Sequence, residues 1–371
     1  MENLNFVCPC IFGTEGMCAN ELRFYGLKNV RAENGRVLFS GSLDHMIKAN
    51  IYSRYAERVL ILMSEFYVNS FEELFQGVKS LPWENFIGKN DAFPVKGRCL
   101  SSKLMSVPDC QKIIKKAVVE RLKEKYRLSW FEETGATFQI QFLIINNKAS
   151  IMIDTSGAGL HKRGYRKKSN DAPIKETLAA AMAELAGVRR NHKVVDPMCG
   201  SGTILIESAM KALKIPPGIN RKFAFDNWSL IPKNSISEIK QQAKLNIDKN
   251  CDFFALGYDI DSNALELARE NAEKAGVSDF IRFEKRDISD FSQDFEIQTV
   301  ITNPPYGERL LDLESARRLY KILGEKCLSC HNTRTVVISP DDEFERIFGK
   351  SADKRRKLYN GMLKCQVYIY K

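Results

Sequence analysis

The chain has 371 residues, 44% of them apolar and 27% charged, with 56 lysines and arginines against 46 aspartates and glutamates. That length predicts two or three domains, and the composition is that of a globular chain rather than a disordered or fibrous one. The surplus of +10 favours an anionic partner, with a merely basic surface as the alternative, and no apolar run reaches the roughly eighteen residues of a membrane-spanning helix.

The opening "MENLNFVCPCIFG" lacks a basic segment followed by a long apolar run, so no signal peptide is predicted. The ten cysteines of such a chain read as reduced thiols, and the expected location is cytoplasmic. Cys8 and Cys10, and the C-x-x-C pair Cys327 and Cys330, lack the four-ligand spacing of zinc, so no metal is expected. Strand "FVCPC", helix "GMCANELRFYG", strand "GRVLFSG", helix "LDHMIKANIYSRYA" and strand "RVLILMSEF" make a small α+β unit over residues 1–66. A second unit, 67–155, follows. Ser70 caps the helical "FEEL", and Ser106 with Pro108 starts a long helix, "SVPDCQKIIKKAVVERLKEKY". One face of that helix carries Ile113, Ala117, Val118 and Leu122; the other carries Lys112, Lys115, Lys116, Arg121, Lys123 and Lys125. With few acids beside them, Lys112, Lys115 and Lys116 are candidate RNA contacts, weighed against an ordinary solvated face. "TFQIQFLIINNKASIMIDTSG" is a strand pair turned at Asn146–Asn147. The stretch 156–190 is a basic linker and helix. Its "LHKRGYRKK" offers Lys162, Arg163, Arg166, Lys167 and Lys168 around His161 and Tyr165, a mixture of cations and an aromatic that suits RNA.

From 191 to 371 strands and helices alternate, the pattern of a parallel α/β sheet: "KVVD", "FFALGYD", "FIRFEKRD", "IQTVITN" and "TRTVVISP" are its strands. The end, "KRRKLYNGMLKCQVYIYK", is a hairpin turned at Asn360–Gly361. A dinucleotide-binding sheet is all parallel; one finished by an antiparallel hairpin is the arrangement of S-adenosylmethionine methyltransferases. "SADKRRK" reads as an exposed strand edge.

Strand, glycine turn and helix meet in "VVDPMCGSGTILIESA", spaced neither as a dehydrogenase fingerprint nor as a Walker loop. Gly200 and Gly202 let backbone approach a ligand, between Cys199 and Thr203, and Asp196 accepts from an ammonium group or orders the loop. Asp259, at the next strand end, faces two ribose hydroxyls; Ile260 presses on an adenine; Asp261 caps the following helix. Asp287 and the Ile288 amide serve the adenine edge. The interval from Gly202 to Asp259 requires a segment near 214–250 to be looped out. The fourth strand ends in Asn303-Pro304-Pro305-Tyr306. An exocyclic amine is a poor nucleophile because its lone pair is delocalised. Two acceptors on its hydrogens, the Asn303 side chain and the Pro304 carbonyl, would free that pair, while Tyr306 stacks on a flipped base.

"DPMCGSGT" with "NPPY" resembles the amino-methyltransferases of nucleic acids and of some protein amides. "LSSKLMSVPDCQKIIKKAVVERL" resembles a THUMP RNA-binding domain, and "GLHKRGYRKK" and "NPPYGERL" resemble the THUMP-bearing RNA guanine methyltransferases, most of all the bacterial large-subunit ribosomal RNA guanine-N2 enzymes. The resemblance spans nearly the whole chain. It implies a ferredoxin-like α+β domain, a THUMP domain and a Rossmann-like sheet with a C-terminal antiparallel hairpin. It implies S-adenosyl-L-methionine as cofactor, RNA as partner, and the N2 amine of a guanine, in 23S rRNA, as target. A tRNA substrate, a protein glutamine substrate and a non-catalytic assembly role are the rivals. The basic N-terminal third speaks against the protein substrate, and Gly200, Gly202, Asp259 and Asn303 against the non-catalytic role.

Overall fold

The structure is a computed structural model that describes residues 4–166, 174–306, 312–361 and 363–371. Its first half runs β1 (Leu4–Pro9), α1 (Glu15–Phe24), β2 (Lys28–Glu33), β3 (Arg36–Gly41), α2 (Leu43–Tyr52), β4 (Leu60–Tyr67), α3 (Phe71–Lys79), β5 (Val95–Leu100), α4 (Val107–Tyr126), β6 (Ile140–Ile145) and β7 (Lys148–Asp154). Local chemistry sets the helix starts. Ser70 accepts from the Glu73 amide at 3.2 Å, and Ser106 from the Asp109 amide at 3.4 Å. Arg127, left-handed at φ 55, closes α4. The buried stripe of α4 is Cys110, Ile114, Ala117, Val118 and Leu122, with Ile113 half-buried at its margin.

The two N-terminal units share one sheet, in the order β2-β3-β1-β4-β7-β6-β5. Their seam is the β4–β7 ladder, antiparallel from Leu60↔Asp154 to Tyr67↔Lys148. A shared ladder with shared core side chains fixes the second unit against the first.

The second half runs α5 (Glu176–Leu185), β8 (Lys193–Asp196), α6 (Thr203–Ala212), α7 (Lys233–Leu245), β9 (Phe254–Asp259), α8 (Ser262–Ala275), β10 (Ile281–Lys285), β11 (Gln298–Thr302), α9 (Leu313–Leu328), β12 (Thr333–Ser339), α10 (Phe344–Phe348), β13 (Lys354–Asn360) and β14 (Leu363–Tyr370). The sheet order is β10-β9-β8-β11-β12-β14-β13. Five strands are parallel, β14 enters antiparallel to β12, and β13 closes the edge. Chain order reverses between β8 and β11, and a crevice opens there beyond the strand ends.

Residues 214–250 are more than a loop. Their first part docks on the N-terminal half through Gly218 N–H to the Ile51 carbonyl, 2.8 Å. Trp228 stacks on Phe138 at 4.3 Å and donates to the Thr137 carbonyl at 3.0 Å. The rest is α7, whose Ile236, Ile239 and Ala243 stand at helical spacing and pack on the core. The segment braces the two halves.

Candidate active site

Four strand ends converge on a cavity of about 730 Å³. It is bordered by Asp196 and Met198–Ser201 after β8, Asp259–Asp261 after β9, Arg286–Ile288 after β10, and Asn303 and Pro305 after β11. All of these strands are parallel, so their C-terminal ends share one rim.

The glycine turn is held from outside. Cys199 donates its amide to the Tyr258 carbonyl at 2.8 Å, and Gly202 its amide to the Cys199 carbonyl at 2.9 Å. Gly200 (φ +51) is left-handed with nothing within 4 Å of where a Cβ would stand, so open space adjoins its backbone. Gly202 (φ +75) is left-handed and also crowded: a Cβ there would meet the Phe283 ring at 2.9 Å. Thr203, the first residue of α6, is buried beside Ser201, and the Cys199 thiol is buried too.

Asp259 is pinned on both oxygens. Gly200 N–H donates to Oδ2 at 2.8 Å and Asp261 N–H to Oδ1 at 2.9 Å. Each oxygen keeps one acceptor position, a geometry suited to two vicinal hydroxyls. Asp261 caps α8 through the Asn263 amide, 2.9 Å. Ile260 stays 63% exposed at the cavity wall, while Ile288 is buried. Asp287 accepts from the Ser289 hydroxyl at 2.6 Å and amide at 2.8 Å, and those bonds hold its carboxyl below the usual range, an anionic acceptor. Asp196 is 1% exposed; burial pushes its carboxyl up to about 7, and the Met198 amide donates to it at 3.2 Å. A cationic group in the cavity would restore its charge.

Asn303 carries a buried side-chain oxygen with no hydrogen-bond partner among the described residues. A buried orphan acceptor costs about 1–3 kcal/mol, which a donor entering the cavity would recover. Pro304 is buried, and only Pro305 of the pair borders the cavity. Tyr306 does not border it. Its hydroxyl accepts from Asn360 Nδ2 at 2.8 Å and lies 4.0 Å from Cys365, so the ring packs against the β13–β14 hairpin. Sequence reasoning missed Arg286, Ser315, Arg318 and Leu319, which also line the wall. The last three stand on α9, and nothing in their local pattern announces a cavity. Among the described residues, no group of three or more His, Cys, Asp and Glu is placed to hold a metal ion.

The basic candidates divide. Lys112 is exposed, 3.9 Å from Asp109, and Lys116 and Lys162 are exposed. Lys115 is not available. It donates to the Phe93 carbonyl at 3.2 Å, pairs with Glu133 at 2.5 Å, and sits 3.5 Å from the Phe93 ring centre. Arg121 and Lys125 pair with Glu84, an acid from outside the helix. The expectation for the linker needs correction as well. Arg163 is 4% exposed, donating to the Leu160 and Arg54 carbonyls at 2.7 and 2.6 Å and lying 3.5 Å from Glu207 on α6. Arg166 pairs with Glu176 at 2.7 Å, and Tyr165 donates to Glu207 at 3.1 Å. These groups fasten the linker to both halves, Arg163 through the Arg54 carbonyl and Glu207, and Arg166 through Glu176, so their charge is spent within the protein. Lys167, Lys168 and the "GERL" after Tyr306 lie outside the described residues.

Three family models match this chain: an RlmL ferredoxin-like domain over residues 5–60, a THUMP domain over 68–154, and an RMKL-like methyltransferase domain over 163–369. The chain is 38% identical to the "Putative RNA methyltransferase YpsC" of Bacillus subtilis (strain 168), over 100% of this chain and 96% of that protein. It is 32% identical to the "Ribosomal RNA large subunit methyltransferase K/L" of Psychromonas ingrahamii over 99% of its own length, and spans 50% of that longer protein. A solved structure of SMU.472, described as a putative methyltransferase complexed with SAH (S-adenosylhomocysteine), superposes with a TM-score of 0.94 at 38% identity, covering 100% of this chain and 98% of that one. No helix among the described residues is long and apolar enough to cross a membrane. Ferredoxin-like, THUMP and catalytic modules in this order place the chain in the THUMP-bearing, RMKL-like family of S-adenosylmethionine-dependent RNA methyltransferases.

Proposed function

We propose that this protein transfers a methyl group from S-adenosyl-L-methionine to the exocyclic N2 amine of a guanine in large-subunit ribosomal RNA. The observation that carries the reading is the orphaned, buried oxygen of Asn303 at the cavity wall. The bound cofactor supplies an electrophilic methyl group on a sulfonium. Asp259 takes the ribose hydroxyls, Asp287 the adenine amine, and Asp196 the ammonium group, each from its own strand end. Asn303 Oδ1 and the Pro304 carbonyl accept the two hydrogens of the target amine and draw its lone pair out of conjugation. Orientation of amine, methyl and sulfur can supply roughly 7–11 kcal/mol of the barrier. Tyr306, fixed to the hairpin by Asn360, bounds the base site rather than the cofactor site. The ribosomal target is supported by the K/L relatives, of which this chain spans about half, and the guanine by the resemblance of its motifs.

The test is nucleoside analysis of separated rRNA and tRNA from cells lacking the gene, with single-turnover methylation of the undermethylated RNA. N2-methylguanosine should be missing from the large-subunit rRNA and restored by wild-type protein. Asn303→Ala should restore it on the order of 10²–10³ times more slowly, by analogy with the loss of one preorganised polar group at a developing charge. Loss of the nucleoside from tRNA alone, or of a methylated adenine instead, would overturn the assignment.

A further inference from the structure

The basic run of β13 has no part in the site described so far. Lys354, Arg356 and Lys357 are exposed on the edge strand of the catalytic sheet and meet no carboxylate among the described residues; only Arg355 is neutralised, by Glu345. Lysines on a sheet edge ordinarily deter strand pairing, which accounts for cations but not for aromatic rings beside them. Two rings stand at the end of this strand. Phe12, from the loop after β1, is 55% exposed, and its ring centre lies 6.0 Å from that of Tyr359, edge to face. Lys357 Nζ is 5.6 Å from the Tyr359 ring centre.

The placement is enforced from both ends of the chain. Gly13 (φ +93) lets its loop lie against the hairpin, since a Cβ there would collide with the Lys357 carbonyl and the Leu358 side chain. On the other side Asn360, next to Tyr359, donates to the Tyr306 hydroxyl at 2.8 Å. The aromatic pair therefore sits one residue from the group that buttresses the N-P-P-Y turn.

We propose that Phe12, Tyr359 and Lys357, the cation on the Tyr359 face of β13, form a platform for the unpaired RNA strand that carries the target nucleotide. The proposal rests on the RNA substrate inferred above. The rings stack on a base adjoining the target, and Lys357 meets a phosphate beside it. Exposed Phe12 and half-buried Tyr359 hold a base only when it is unstacked, so the platform selects looped over fully paired RNA. An acidic peptide would use the cation but leave the rings idle; single-stranded RNA uses both.

The test uses the full chain with a fluorescein-labelled stem–loop RNA whose loop contains guanine, and a fully paired duplex of equal charge. Phe12→Leu and Tyr359→Leu keep apolar packing and remove the stacking face; Tyr359→Phe keeps the face. The two Leu variants should each bind the stem–loop roughly 5- to 100-fold more weakly, leave duplex binding and S-adenosylhomocysteine affinity unchanged, and Tyr359→Phe should behave as wild type. Lys357→Gln should lower the salt slope of loop binding by about 0.7, the effect of one phosphate no longer neutralised. Wild-type protein that methylates no RNA defeats the proposed function. Wild-type protein that methylates RNA while all variants bind the stem–loop normally defeats the platform alone. Self-association abolished in Tyr359→Leu at unchanged RNA affinity defeats it too, by making the edge an interface between copies.

Discussion

Asp259→Ala isolates the cofactor-binding geometry. In the folded protein the Asp259 carboxylate accepts the Gly200 amide at 2.8 Å and the Asp261 amide at 2.9 Å, one on each oxygen. It thus ties the glycine turn to the end of β9 and retains one acceptor position per oxygen for a ligand. A hydrogen bond to a charged group contributes roughly 1.5–3 kcal/mol, so two ribose hydroxyls set an upper range of roughly 3–6 kcal/mol. Asp259 is half-buried, and solvent competes for it, which favours the lower end. The expected loss of S-adenosylhomocysteine affinity is therefore on the order of 10²-fold, from about 3 kcal/mol. Asp259→Asn is a graded control: its oxygen can still serve one side, but its amide nitrogen faces the Gly200 or Asp261 donor, and its affinity should fall between wild type and Ala. Titration calorimetry measures the affinities, and circular dichroism with thermal melts establishes that each variant is folded. A folded Asp259→Ala protein that binds within about twofold of wild type would refute the ribose assignment and the pinned carboxylate as its cause.

Asp196, pushed up to about 7 by burial, should make cofactor affinity rise as the pH passes upward through about 7, since only the ionised carboxyl attracts an ammonium group; Asp196→Asn should flatten that step in calorimetry. For the empty protein the sign reverses. The raised folded value gives a stability contribution that is full below the ordinary carboxyl range near 4 and is lost as the pH rises through about 7, so melting without ligand should occur at lower temperature at pH 8 than at pH 6. Arg163→Met should cost about 3–5 kcal/mol of stability, read by denaturant unfolding, because it strands buried Glu207 and two carbonyls; reduced RNA affinity in a protein of unchanged stability would contradict the buried placement. Lys112→Glu with Lys116→Glu should weaken RNA binding and lower its salt slope by about 0.7–0.9 per phosphate, whereas Lys115→Met should lower the melting temperature instead; equal RNA defects at all three positions would refute the distinction.

Sequence determined the elements and the order in which they carry chemistry. Hydrophobic alternation, the caps at Ser70 and Ser106, and the Asn146–Asn147 and Asn360–Gly361 turns are local signals, and each is written in a few adjacent residues. The cavity wall was legible for a related reason. A parallel sheet sends every strand end to one rim, so Asp196, Asp259, Asp287 and Asn303 could be assigned to one site from their positions after successive strands. Tertiary structure alone decided what depends on partners distant in the chain. The acids that consume Lys115 and Arg121 are Glu133 and Glu84, neither on the same helix. Arg163 and Arg166 read as an RNA patch because the sequence shows their charge but not Glu207, Glu176 and the carbonyls that enclose them. The β4–β7 ladder that merges the N-terminal units, and the brace made by Trp228 on Phe138, lie beyond any local pattern. A side chain's type is fixed by the gene, but whether its charge reaches solvent is fixed by which surfaces the fold presses together, and burial against a distant partner leaves no periodicity to read.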